Sequence, residues 1–89
     1  MSDINHVITD RGSNYGRFED GAKIMQGMKE QARNSPAWER MKPNQREAMD
    51  MILHKCGRIL NGNPDYADSW VDIAGYAKLV ADQLNGESK

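Results

Sequence analysis

Cysteine and long apolar runs are scarce in this chain, and each scarcity removes a class of protein. A single cysteine, Cys56, excludes an internal disulfide framework. Paired C-x-x-C spacing, as in zinc or redox sites, is missing with it. No apolar stretch approaches the roughly 20 residues of a membrane-spanning helix, and residues 1–14 lack the apolar segment of a signal peptide. Basic and acidic residues nearly cancel, 12 against 13 for a net charge of −1, so the broad positive field behind non-specific DNA binding is absent. There is no P-loop, HExxH or dinucleotide glycine motif, and no Ser/His/Asp arrangement that spacing supports. A nucleophilic Cys56 needs a nearby base, yet on a helix His54 points about 160° away from it. These exclusions leave a reduced protein working in the cytoplasm, with no membrane partner.

What is present is helical periodicity. A chain of 89 residues holds one domain, and its core is marginal at that size. Phe18, Ala22, Met25, Met28 and Ala32 recur at spacings of three and four, which predicts a helix over about 18–34, weakened by Gly21 and Gly27. Ser35-Pro36 reads as a cap and first position of a short helical turn near 36–41 that carries Trp38. A second helix spans 43–61, opened either by Lys42 before Pro43 or by Asn44 with Glu47 as a capping box. Its core stripe is Ala48, Ile52, Cys56 and Ile59, flanked by Met49 and Leu60, and Gly62 serves as a left-handed stop. Asn63 or Asp65 caps a third helix over 65–85, with a seam of Trp70, Ile73, Ala77, Val80 and Leu84. The fold class is therefore all-α, a small bundle of three main helices. Residues 1–14 form a flexible arm, 15–86 the single domain and 87–89 a disordered tail.

The third helix has a second apolar stripe, Ala67, Val71, Gly75 and Leu79, at intervals of four. Three helices supply too few neighbours to cover both stripes, so a homo-oligomer with that stripe as its interface is expected.

Two polar constellations stand out. Asp65, Asp68, Asp72 and Tyr76 share a narrow arc near the start of the third helix, where the macrodipole favours carboxylates. Glu47, Met51, His54 and Arg58 share one side of the second helix, with Lys55 on its border. Lys55 and Arg58 either pair with Asp68 and Asp72 across the hairpin or hold a phosphate on the arginine fork. Of these options, an Asp72–Arg58 pair with a solvent-facing Lys55 is the expectation. Tyr15-Gly16-Arg17-Phe18 is a turn that docks an aromatic onto the bundle or contacts a nucleobase or phosphate. The candidate ligand- or partner-binding set is Tyr15, Arg17, Lys55, Arg58, Asp68, Asp72 and Tyr76, with no catalytic residue, no metal and no cofactor.

The residues Tyr15-Gly16-Arg17-Phe18, Gln45 to Ile52, Lys55, Gly57-Arg58-Ile59-Leu60, Gly62 and Asp68 to Ala77 resemble a family of short phage and prophage proteins of unassigned function. Its pattern is a glycine turn, a helix with K-x-x-R and a helix with D-x-x-x-D-I-x-G-Y-A. The resemblance spans about 11–84. It implies a phage origin and the host cytoplasm as working compartment. It fits a non-enzymatic accessory protein that binds a host or phage macromolecule or a phosphate-bearing, nucleotide-like ligand, in counter-defence or regulation. A more distant similarity links the chain to MazG-like all-α nucleoside triphosphate pyrophosphohydrolases, which would require magnesium. Glu47-x-x-Asp50 fits one of their acidic motifs, but their E-E-x-x-E is missing and Asp68-x-x-x-Asp72 replaces it only in part.

Overall fold

The computed structural model describes residues 14–86. Helix α1 runs Phe18–Arg33, a short 3-10 helix follows at Trp38–Arg40, α2 runs Pro43–Asn61 and α3 runs Ala67–Leu84. These spans follow the expected ones within two residues at each end. The segment expected to be a flexible arm, save Asn14, and that expected to be a disordered tail at 87–89 lie outside the described residues.

Local chemistry sets each boundary. Glu19 and Asp20 stand in the first turn of α1 and Arg33 in its last, both favourable to the helix dipole. Ser35 does not open the following turn. Its hydroxyl donates back to the Gln31 carbonyl at 2.7 Å and closes α1, so Ala37 flanks the 3-10 helix instead. At the start of α2, Pro43 takes the first helical position and the Lys42 N–H donates to Gln45 Oε1 at 2.8 Å. That settles the choice of cap against Asn44 with Glu47. Gly62 ends α2 at φ −142°, which is not a left-handed conformation. Its reason is steric: a Cβ there would lie 2.5 Å from Tyr15 Cα and 2.7 Å from the Asn14 carbonyl carbon. Neither Asn63 nor Asp65 caps α3. Asn63 Oδ1 accepts from the Asp65 N–H at 3.0 Å, an Asx turn that delays the helix until after Tyr66.

α2 is the central helix, and α1 and α3 pack on it rather than on each other. The α1–α2 register comes from Met25, whose Cε would meet a Cβ on Gly57 at 3.2 Å, and from the Arg33–Asp50 ion pair at 3.7 Å. Lys55 with Asp72, and Asn44 with Gln83, place α3 antiparallel to α2. Among the described residues Ala48 is the one buried apolar side chain. Met25, Met28, Ile52, Cys56 and Ile59 are half-buried, so the expected stripes do face neighbours, but thinly. Phe18 departs from its stripe and is 89% exposed, and Leu60 is exposed rather than flanking the core.

The seam of α3 keeps Ile73 and Val80 of the expected one but turns toward Ser69 and Tyr76. Ser69 is buried and Ile73, Tyr76 and Val80 are half-buried, while Trp70, Ala77 and Leu84 face out. Trp70 is held outside because its indole N–H donates to the Pro64 carbonyl at 2.8 Å, an acceptor on the surface loop. Small Ser69 then takes the inward place.

Candidate functional site

The turn at 14–17, the last two turns of α2 and the start of α3 meet at one end of the molecule. A clasp holds them. The Asn61 side-chain amide donates to the carbonyls of Tyr15 and Arg17, both at 2.9 Å, and the Asn63 N–H donates to the Asn14 carbonyl at 2.7 Å. Gly16 sits at φ +73°, a left-handed conformation that glycine adopts freely, with Asn61 closely packed where a Cβ would stand.

The clasp presents Tyr15 to α2. The Arg58 guanidinium lies over its ring at 4.4 Å from the centroid, and the Tyr66 ring meets it edge-on at 5.8 Å. Tyr66 Oη donates to Asp68 Oδ2 at 3.0 Å, and that hydrogen bond with the carboxylate's charge holds the phenol above its usual 10.0. Lys55 Nζ sits 2.9 Å from Asp72 Oδ2, and its side chain is only 15% exposed. The ion pair therefore forms with Lys55, not with Arg58 as expected, and Lys55 is largely covered rather than solvent-facing. The reason is position: Arg58 lies one turn nearer the clasp, where Tyr15 covers it.

The remaining candidates are placed as follows. Arg17 is exposed, 3.8 Å from Glu19. Tyr76 is half-buried and lines a shallow open depression on α3 with Val71, Asp72, Gly75 and Leu79, of about 510 Å³. Ala67, Val71, Gly75 and Leu79 are all exposed. The structure thus joins Tyr15, Arg58 and Asp68 through Tyr66, and Lys55 with Asp72, while Arg17 stands apart from both groups. Among the described residues, no three His, Cys, Asp or Glu side chains are placed to hold a metal ion, and no helix is long and apolar enough to cross a membrane.

Sequence reasoning passed over Asn61, Tyr66 and Lys29. The α1–α2 register sets Lys29 level with His54. The His54 imidazole is pushed below its ordinary 6.5, first by burial and then by Arg58, Lys29 and Lys55. Three cations around one half-buried imidazole make a locally positive corner in a chain of balanced charge. Lys29 lies on the border of the α1 stripe, and only the pairing of α1 with α2 could have brought it to notice. Asn61, just before Gly62-Asn63, carries the polar signature of a helix end, which is the signal that was available for the clasp.

No curated protein and no solved structure matches this chain. A family described as a domain of unknown function, DUF6378, matches residues 1–84, nearly the whole chain, and the protein belongs to that family.

Proposed function

We propose that this protein is a non-enzymatic, homo-oligomeric phage or prophage accessory module that binds a phosphate-bearing ligand at the Arg58 corner in the host cytoplasm. One observation carries the reading. Arg58 is pre-oriented on the Tyr15 ring, yet no carboxylate among the described residues pairs with it. Its planar fork of donors is the group best suited to a phosphate. Lys29, likewise without a carboxylate partner among the described residues, adds positive potential, whereas Lys55 is already neutralised by Asp72. Tyr15 supplies an aromatic surface beside the anion site, which suits a nucleotide-like ligand.

Calorimetry with pyrophosphate and a panel of nucleotides tests this. At least one should bind, and Arg58→Lys should weaken it about tenfold without lowering the melting temperature, because a point charge lacks the bidentate fork. Equal affinity in wild type and Arg58→Lys removes the site. The MazG-like reading makes a different demand, magnesium-dependent release of pyrophosphate from a nucleoside triphosphate. Asp50 and Asp72 are engaged by Arg33 and Lys55, and such release would install the hydrolase in place of the binding module.

A further inference from the structure

On α3, Val71 and Leu79 are 64% and 47% exposed although the helix already buries Ser69 and half-buries Ile73, Tyr76 and Val80 on its other side. Between them stands Gly75, and among the described residues nothing lies within 4 Å of a Cβ built on it. A glycine inside a helix is costly relative to alanine, and no contact among the described residues explains this one. The residues around it are symmetric in kind. Four positions before Gly75 is Val71 and four after is Leu79. Three before is Asp72 and three after is Lys78.

We propose that α3 pairs with α3 of a second copy, antiparallel, across a two-fold axis at Gly75. An antiparallel partner sets each position against its mirror about the axis, so Val71 of one copy packs on Leu79 of the other, twice. The same operation places Asp72 opposite Lys78 of the other copy, also twice, whereas a parallel pairing would oppose like charges. Lys78 then lies between its own Asp82, 2.8 Å away, and the incoming Asp72. The like-charged Asp68 and Asp82, mirrored seven positions out, are engaged by Tyr66 and Lys78, and Asp82 is already buried within its own chain, so the pairing is centred on the Val71–Leu79 stretch. Gly75 lets the two backbones approach at the crossing. This pairing rests on the homo-oligomeric part of the proposed function and is independent of the ligand.

Sedimentation and disulfide trapping of the full chain in a Cys56→Ala background test it. The wild type should sediment as a dimer or a higher even-numbered assembly at micromolar concentrations. Val71→Cys mixed with Leu79→Cys should form a disulfide-linked dimer under oxidation, and neither protein alone should. Leu79→Asp should shift the species to monomer at wild-type helicity. A wild type that stays monomeric overturns both the oligomer and this pairing. An assembly with no trapped mixed dimer, or one that persists in Leu79→Asp, overturns the α3 pairing and leaves the oligomer standing.

Discussion

Gly62 and Gly75 are the same residue under opposite constraints. At Gly62 the chain's own backbone from Asn14 and Tyr15 fills the space a side chain would need. At Gly75 the space is empty, in a helix that already has one covered face. The first glycine is explained by the fold, the second by nothing among the described residues. The clasp end of the molecule is therefore internally determined, and the proposed pairing gives the outer face of α3 its covering from a second copy.

The largest effect should come from breaking the determined end. Gly62→Ala forces a methyl into backbone and should cost about 3 kcal/mol of stability, the upper range for overpacking, read as a shifted urea midpoint. A loss under ~0.5 kcal/mol would show that the turn at 14–17 does not dock as described. Next, Asn61→Ala strips the donor from the Tyr15 and Arg17 carbonyls and should cost about 2 kcal/mol, one poorly satisfied acceptor offset by water at the exposed one. Tyr15 should also loosen over Arg58, visible as a change in tyrosine fluorescence.

Asp72→Asn leaves the Lys55 ammonium largely covered without its counter-charge. Because Asp72 is itself 46% exposed, the loss should be about 1 kcal/mol rather than the figure for a buried pair. Gly75→Ala should have the opposite sign. In dilute solution it should raise stability by about 0.5–1 kcal/mol through helix propensity, while weakening self-association. A destabilised dilute monomer would erase the contrast between the two glycines.

The smallest effect is that of pH. Well above 6.5 His54 is neutral in both folded and unfolded chains and contributes no pH dependence. As pH falls through 6.5 the unfolded chain takes up a proton before the folded one does. Stability then declines until the pH passes the lowered value of His54. His54→Gln should flatten that segment of the stability–pH curve. A bound phosphate should do the same by favouring the imidazolium, so ligand binding should draw in a proton below pH 6.5.

Helix extents were legible in the residues because periodicity, Pro43 and Gly62 mark them whatever the tertiary context. The facing of α3 was not. Hydrophobicity alone puts Trp70 inside, but the indole N–H finds its acceptor on Pro64 at the surface and Ser69 is small enough to turn inward. The residues gathered at the candidate site, Tyr15, Lys55, Arg58, Asp68 and Asp72, were legible by type. Their pairing was not, since whether Lys55 or Arg58 meets Asp72 depends on a fraction of a helical turn in register. Lys29 belongs to another helix, and no spacing within α2 or α3 points to it.

The Asn61 clasp also fixes an order of events. Its hydrogen bond to Tyr15 closes a separation of 46 positions, and so long a loop is entropically costly to close first. Pairing from the 34–42 connection outward, through Arg33 with Asp50 and then Met25 with Gly57, shortens the loop stepwise and leaves the clasp to form last. What forms last by this route opens first in the native state. On this order the turn that sets Tyr15 against Arg58 should belong to the least protected cooperative unit among the described residues. Exchange of the 14–17 amides should then run ahead of the α2 amides, with the Arg58 corner opening while the helices around it stay closed.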